Sequence, residues 1–140
     1  MKRYRLWPIP INPVDMTYTQ AVDHDLIAAR VRNRQLECLE LWCCYPNSPP
    51  GFDINCLINI WGDWVDETLW QDAVDISCYT PEEWALLQQT HRAIEDFCKV
   101  TPRNIIDQQA AIALPEWARL ITCAQAALQA FQQRGRLAED

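Results

Sequence analysis

The stretch FDINCLINIWGDWVDETLWQDAVDI, residues 52–76, decides the fold. Phe52, Ile54, Cys56, Ile58 and Ile60 fall on every second position, the spacing of a half-buried strand. Counted by helical turns, Ile54, Leu57, Ile58, Trp61, Val65, Thr68 and Leu69 form one stripe instead. The polar residues Asn55, Asn59, Asp63 and Asp66 recur on the opposite side. One helical period accounts for both sets, so the stretch is read as helix. Gly62 weakens such a helix by ~1 kcal/mol relative to alanine, which favours a kink or two shorter helices. Helix here makes the chain all-α, a single globular domain of four to five helices over 1–140. Strand here would make it α+β, with a small sheet from residues 2–7, 36–44 and 52–61. The all-α reading is preferred.

The flanking sequence agrees with helix. Residues 1–14 alternate Pro8, Pro10 and Pro13 with Ile9 and Ile11, which excludes a regular helix and predicts an extended N-terminal arm. Residues 17–45 read as helical. Thr17 or Thr19 can cap the start, Ile27, Val31, Cys38, Trp42 and Tyr45 lie near one face, and Arg30, Arg34 and Glu37 point outward. Asn33 is a candidate break. Pro46, Pro49, Pro50 and Gly51 end the element. Thr80-Pro81-Glu82-Glu83 combines an N-cap, a proline at the first helical position and carboxylates in the first turn, with Trp84, Leu87, His91, Ile94 and Cys98 along one face. Thr101-Pro102 repeats the signal for a short helix reaching Ile112. Leu114-Pro115-Glu116 opens a last helix with Trp117, Leu120, Ile121, Ala124, Leu128 and Phe131 inward, ended by Gly135. Only three glycines occur in 140 residues, too few for the tight turns of an all-β protein.

Charge is distributed unevenly. Between Arg34 and Arg92 there are ten carboxylates and no lysine or arginine, and five of the seven tryptophans lie in the same interval. The net charge of −7 therefore originates in the middle of the chain. Nucleic acid and anionic membranes are poor partners for such a surface, because phosphate binding requires clustered cations. No apolar run approaches the ~20 residues that span a bilayer, and no secretory signal is recognisable. The seven cysteines, at 38, 43, 44, 56, 78, 98 and 123, are odd in number and irregular in spacing. They are read as free, mostly buried thiols of a reducing, cytoplasmic compartment.

No motif specifies chemistry. The cysteines lack the paired spacing of a zinc site. A catalytic cysteine would need His24 or His91 as base, and His91 falls on the apolar face of its helix, where a neutral, hydrogen-bonded imidazole is the common outcome. No glycine loop can cradle phosphate. No metal, cofactor or catalytic residue is assigned.

Partner binding is the leading functional expectation. A field of carboxylates interleaved with large aromatics suits docking onto a basic protein surface. The residues assigned to it are Asp63, Trp64, Asp66, Glu67, Trp70, Asp72, Asp75, Glu82 and Glu83. The expected partner is a nucleic-acid-binding or nuclease protein, blocked in its phosphate-binding cleft by an inhibitor of immunity or anti-defence type. Two readings stand beside it. One is a small metal-dependent enzyme using Asp63, Asp66, Asp72 or Asp75. The other is a helical adaptor or chaperone-like homodimer whose acidic face is merely soluble surface.

Overall fold

The computed structural model describes residues 13–47, 51–65 and 78–139, with side chains from residue 26 onward. The chain is mainly helical, and the described residues contain five helices and no strand: α1 Pro13–Cys44, α2 Ile54–Trp64, α3 Pro81–Lys99, α4 Gln108–Ile112 and α5 Pro115–Gln132. The all-α expectation holds. Of the alternative sheet, 36–44 and 54–61 are helical, and residues 2–7 lie outside the described residues. The arm was expected through residue 14. Its last two residues instead belong to α1, since a proline at a helix's first turn loses no hydrogen bond there, and residues 1–12 are outside the description.

α2 forms for the reason the sequence suggests. Asp53 caps it, its carboxylate accepting from the Cys56 amide at 2.9 Å. That bond holds the Asp53 carboxyl below its usual range, against opposing desolvation. Ile54, Leu57, Trp61 and Val65 are buried, while Asn59, Gly62 and Asp63 face solvent. The helix stops after Trp64, where Val65 turns extended. The remainder of the expected helical stripe is not described.

Named contacts fix the packing. Arg32 meets Phe131 and Gly135, while Tyr45 meets Trp117, so α1 and α5 run antiparallel. Glu83 meets Arg134 and Asp96 meets Arg119, so α3 and α5 do likewise. Gln35 binds Trp64, while Tyr45 and the Ile54 amide share Gln108, so α2 runs back along α1. Trp61 on α2 donates to His91 on α3. The result is an up-and-down arrangement of α1, α2, α3 and α5 around one core. That core is built from Leu36, Leu39 and Trp42, then Ile54, Leu57 and Trp61, then Leu87, Ile94 and Phe97, then Leu120, Ala124 and Phe131.

Three local expectations need correction. Asn33 does not break α1; it is buried in an unbroken helix, its carboxamide bonded to the main chain of Leu137. Cys38 and Trp42 are buried as expected, but the earlier turns of α1 present a different face inward. Ala29, Arg32, Asn33, Leu36 and Leu39 are buried, whereas Ile27 and Val31 are half-exposed. Thr101 does not open a helix. Its hydroxyl donates back to the Phe97 carbonyl at 2.9 Å and so serves the end of α3, leaving Asp107 to cap α4 through the Ala110 amide. The starts of α3 and α5 match the sequence signals, including the reciprocal Thr80–Glu83 capping box. Gly135 takes φ +69 beyond α5, its amide donating to the Phe131 carbonyl, a conformation that favours glycine.

Candidate functional site

Four of the nine expected partner-binding residues are described. Asp63, in the last turn of α2, is exposed, and so is Glu82 in the first turn of α3. Neither makes an ion pair among the described residues. Trp64 is half-buried against the core, so its indole is part of the packing. Asp66, Glu67, Trp70, Asp72 and Asp75 lie outside the described residues.

Glu83 does not belong to a docking face. It is 1 % exposed and sits at the junction of α1, α3 and the end of α5. Arg32, itself fully buried, donates to it through Nε at 3.3 Å and Nη2 at 2.9 Å. Arg134 donates to it through Nε at 3.0 Å and Nη2 at 2.5 Å, and the Thr80 amide does so at 3.0 Å. Burial opposes ionisation of this carboxyl. The bonds from Arg134, Arg32 and Thr80 outweigh it and hold the pKa down at about 2. Arg32 spends its remaining donors on the carbonyls of Gly135 and Phe131. Arg32 and Glu83 are buried, while Arg134 reaches Glu83 from the surface with 38 % of its side chain exposed, and the bonds they share offset the cost of burying the first two.

Other central carboxylates are also engaged. Glu37 pairs with Arg34 at 3.0 Å and Arg136 at 2.6 Å, and Asp53 is the α2 cap. Arginines from both sequence flanks thus fold back onto the acidic middle, and the negative field is smaller than the linear sequence implies. What persists on the described surface near the α2–α3 connection is Asp63 and Glu82.

Both ends of that connection are anchored at one place. Gln35, 2 % exposed on α1, donates Nε2 to the Trp64 carbonyl at 2.9 Å and accepts the Tyr79 hydroxyl at Oε1 at 2.5 Å. Arg134 also donates to the Cys78 carbonyl at 2.8 Å. The sequence between these anchors carries four carboxylates and no cation. Arg32 and Gln35, which organise this end of the bundle, were missed from sequence. Their signal was present: with Asn33 they share the helical register of Ala29, Leu36 and Leu39, and polar residues on an inward stripe need internal partners.

The remaining candidates resolve as follows. His91 accepts from the Trp61 indole at Nδ1, 3.0 Å, and faces Glu95 from Nε2 at 3.4 Å, a structural role that matches its reading as a hydrogen-bonded core imidazole. All seven cysteines are free. The expectation that most are buried is corrected: Cys38 alone is buried, Cys44 and Cys98 are exposed, and the other four are half-buried. Burial pushes the Cys38 thiol up to about 12 and Cys43 to about 11, away from nucleophilic reactivity. Among the described residues no three histidine, cysteine or acidic side chains converge as a metal site. Among the described residues no helix is long and apolar enough to cross a membrane.

No protein family, curated protein or solved structure matches this chain.

Proposed function

We propose that this chain is a non-enzymatic protein-binding protein that docks the carboxylates around the α2–α3 connection onto a cationic surface. A surface of that kind is presented by proteins that handle nucleic acid, and an anionic segment lodged in a phosphate-binding cleft blocks it. An inhibitor of the immunity or anti-defence type is the role this implies. One observation carries the reading. Asp63 and Glu82 are exposed and make no ion pair among the described residues at one end of the bundle, and they flank a segment whose two ends Gln35 ties to a single point on α1. Four further carboxylates without a cation are confined by sequence to that short connection. Anchored feet concentrate charge, and concentrated charge steers association. Glu83 has no part in it.

The test uses charge reversal with a matched control. Wild type, D63K/E82K and the control E40K/E116K are used to capture partners from the native host, and association rates are measured as salt rises from about 50 to 500 mM. A partner retained by wild type and control, with an on-rate about tenfold lower for D63K/E82K and falling steeply with salt, supports the proposal. Binding that ignores both salt and the reversal refutes it.

A further inference from the structure

Helix α1 reads a peptide backbone. The Asn33 carboxamide is 1 % exposed and faces the segment that follows α5. Its Oδ1 accepts the Leu137 amide at 2.8 Å, and its Nδ2 donates to the Leu137 carbonyl at 2.9 Å. A side-chain amide paired with both the N–H and the C=O of one residue recognises main chain, as one strand recognises the next. Nothing in that pairing depends on the identity of Leu137.

Charged neighbours add sequence preference. Glu139 places Oε2 at 2.6 Å from Asn33 Nδ2 and 3.0 Å from Arg34 Nη2, with its Oε1 at 3.9 Å from Arg30 Nε. Arg136 donates to Glu37 at 2.6 Å. Arg30, Asn33, Arg34 and Glu37 stand at i, i+3, i+4 and i+7, so a single helical face supplies the whole set. The occupant is read as a cation, a main-chain unit, an unread position and an anion. Ala138, the unread position, is exposed.

We propose that this face of α1 is a binding site for an extended peptide with arginine at its first position and a carboxylate at its fourth. In the isolated chain its own residues Arg136–Glu139 fill the site. The same pattern on another polypeptide can replace them. Two features favour exchange, and a third limits it. The ion pairs are half-exposed, with 52 % of the Arg136 side chain and 32 % of the Glu139 side chain open to water, so water competes for them. The Arg32–Glu83–Arg134 cluster makes its bonds to Cys78, Thr80, Phe131 and Gly135, all ahead of Arg136. A short covalent link gives the internal segment an effective concentration of order millimolar, so the site is preserved yet guarded against weak competitors.

The chain shortened to end at Gly135 is titrated with the labelled hexapeptide GRLAED, and binding is followed by fluorescence anisotropy. Saturable binding is expected, about tenfold or more weakened by exchanging the peptide's charges to GELARD, by Asn33→Ala, and by using the full chain as receptor. Should the shortened chain fail to fold, the full-length Arg136→Ala/Glu139→Ala variant replaces it, and GRLAED must shift the Asn33 side-chain NH2 resonance. Absence of binding or of that shift up to about 5 mM peptide overturns the proposal. So does equal binding of GELARD.

Discussion

Glu83→Gln tests the most consequential part of the interior. The substitution preserves shape and removes one negative charge from between two arginines. Arg32 keeps its bonds to the Gly135 and Phe131 carbonyls but becomes a buried cation without a counter-charge. Breaking one side of a buried pair costs about 3–5 kcal/mol. The depressed pKa gives a second figure. The carboxyl sits at about 2 in the folded chain against 4.5 as its ordinary value, and that difference is worth about 3 kcal/mol at neutral pH. The sign follows from proton uptake. The unfolded chain binds the proton first as pH falls, so this stabilisation is complete above pH 4.5 and is lost as pH drops towards 2. Domains of this size have about 5–15 kcal/mol in total, so a large fraction is at stake. Urea unfolding followed by tryptophan emission at pH 7 and pH 3 measures it. The variant should be about 3 kcal/mol less stable at pH 7, and the gap should close to about 1 kcal/mol at pH 3. A deficit under about 1 kcal/mol at pH 7, or one that persists undiminished in acid, refutes the account of the cluster.

Other parts of the fold give sharper local outcomes. His91→Phe leaves the Trp61 indole N–H, 2 % exposed, without its acceptor, and urea unfolding should register a loss of about 1–3 kcal/mol. Asn55 donates to the Ile105 carbonyl and accepts the Ile105 amide, both at 2.8 Å; Asn55→Ala should therefore speed hydrogen exchange of that amide before it affects α5. A thiol reagent at neutral pH should label Cys44 and Cys98 in the native chain, while Cys38, buried and pushed up to about 12, should react only on unfolding; mass spectrometry of the labelled peptides distinguishes them.

The legible parts of this sequence were those where one residue type has one physical solution. Thr80-Pro81 with Glu83 three positions on can cap a helix in a single way, and it does. The stretch of α2 also fitted strand alternation, but the helical stripe accounted for more of its residues, and its polar side became solvent-facing at Asn59 and Asp63. Thr101-Pro102 looks the same as Thr80-Pro81 in sequence. Its hydroxyl found the Phe97 carbonyl behind it instead of an amide ahead, and a hydroxyl can serve either end of a helix.

Long-range charge was illegible for a different reason. Glu83 appears in sequence as one more carboxylate of an acidic run, 51 residues from each of the two arginines that claim it. Only the antiparallel return of α5 along α1 and α3 brings them together, and no local period encodes that. The inward register of Arg32, Asn33 and Gln35 did announce that α1 would need internal partners. It could not say that Arg32 would take Glu83, Asn33 the main chain of Leu137, and Gln35 both ends of the α2–α3 connection. Three buried polar residues within one turn of α1 thus fix three separate junctions. A field estimated from linear sequence overstates the charge left at the surface wherever such junctions consume it, as they do at Glu37 and Glu83.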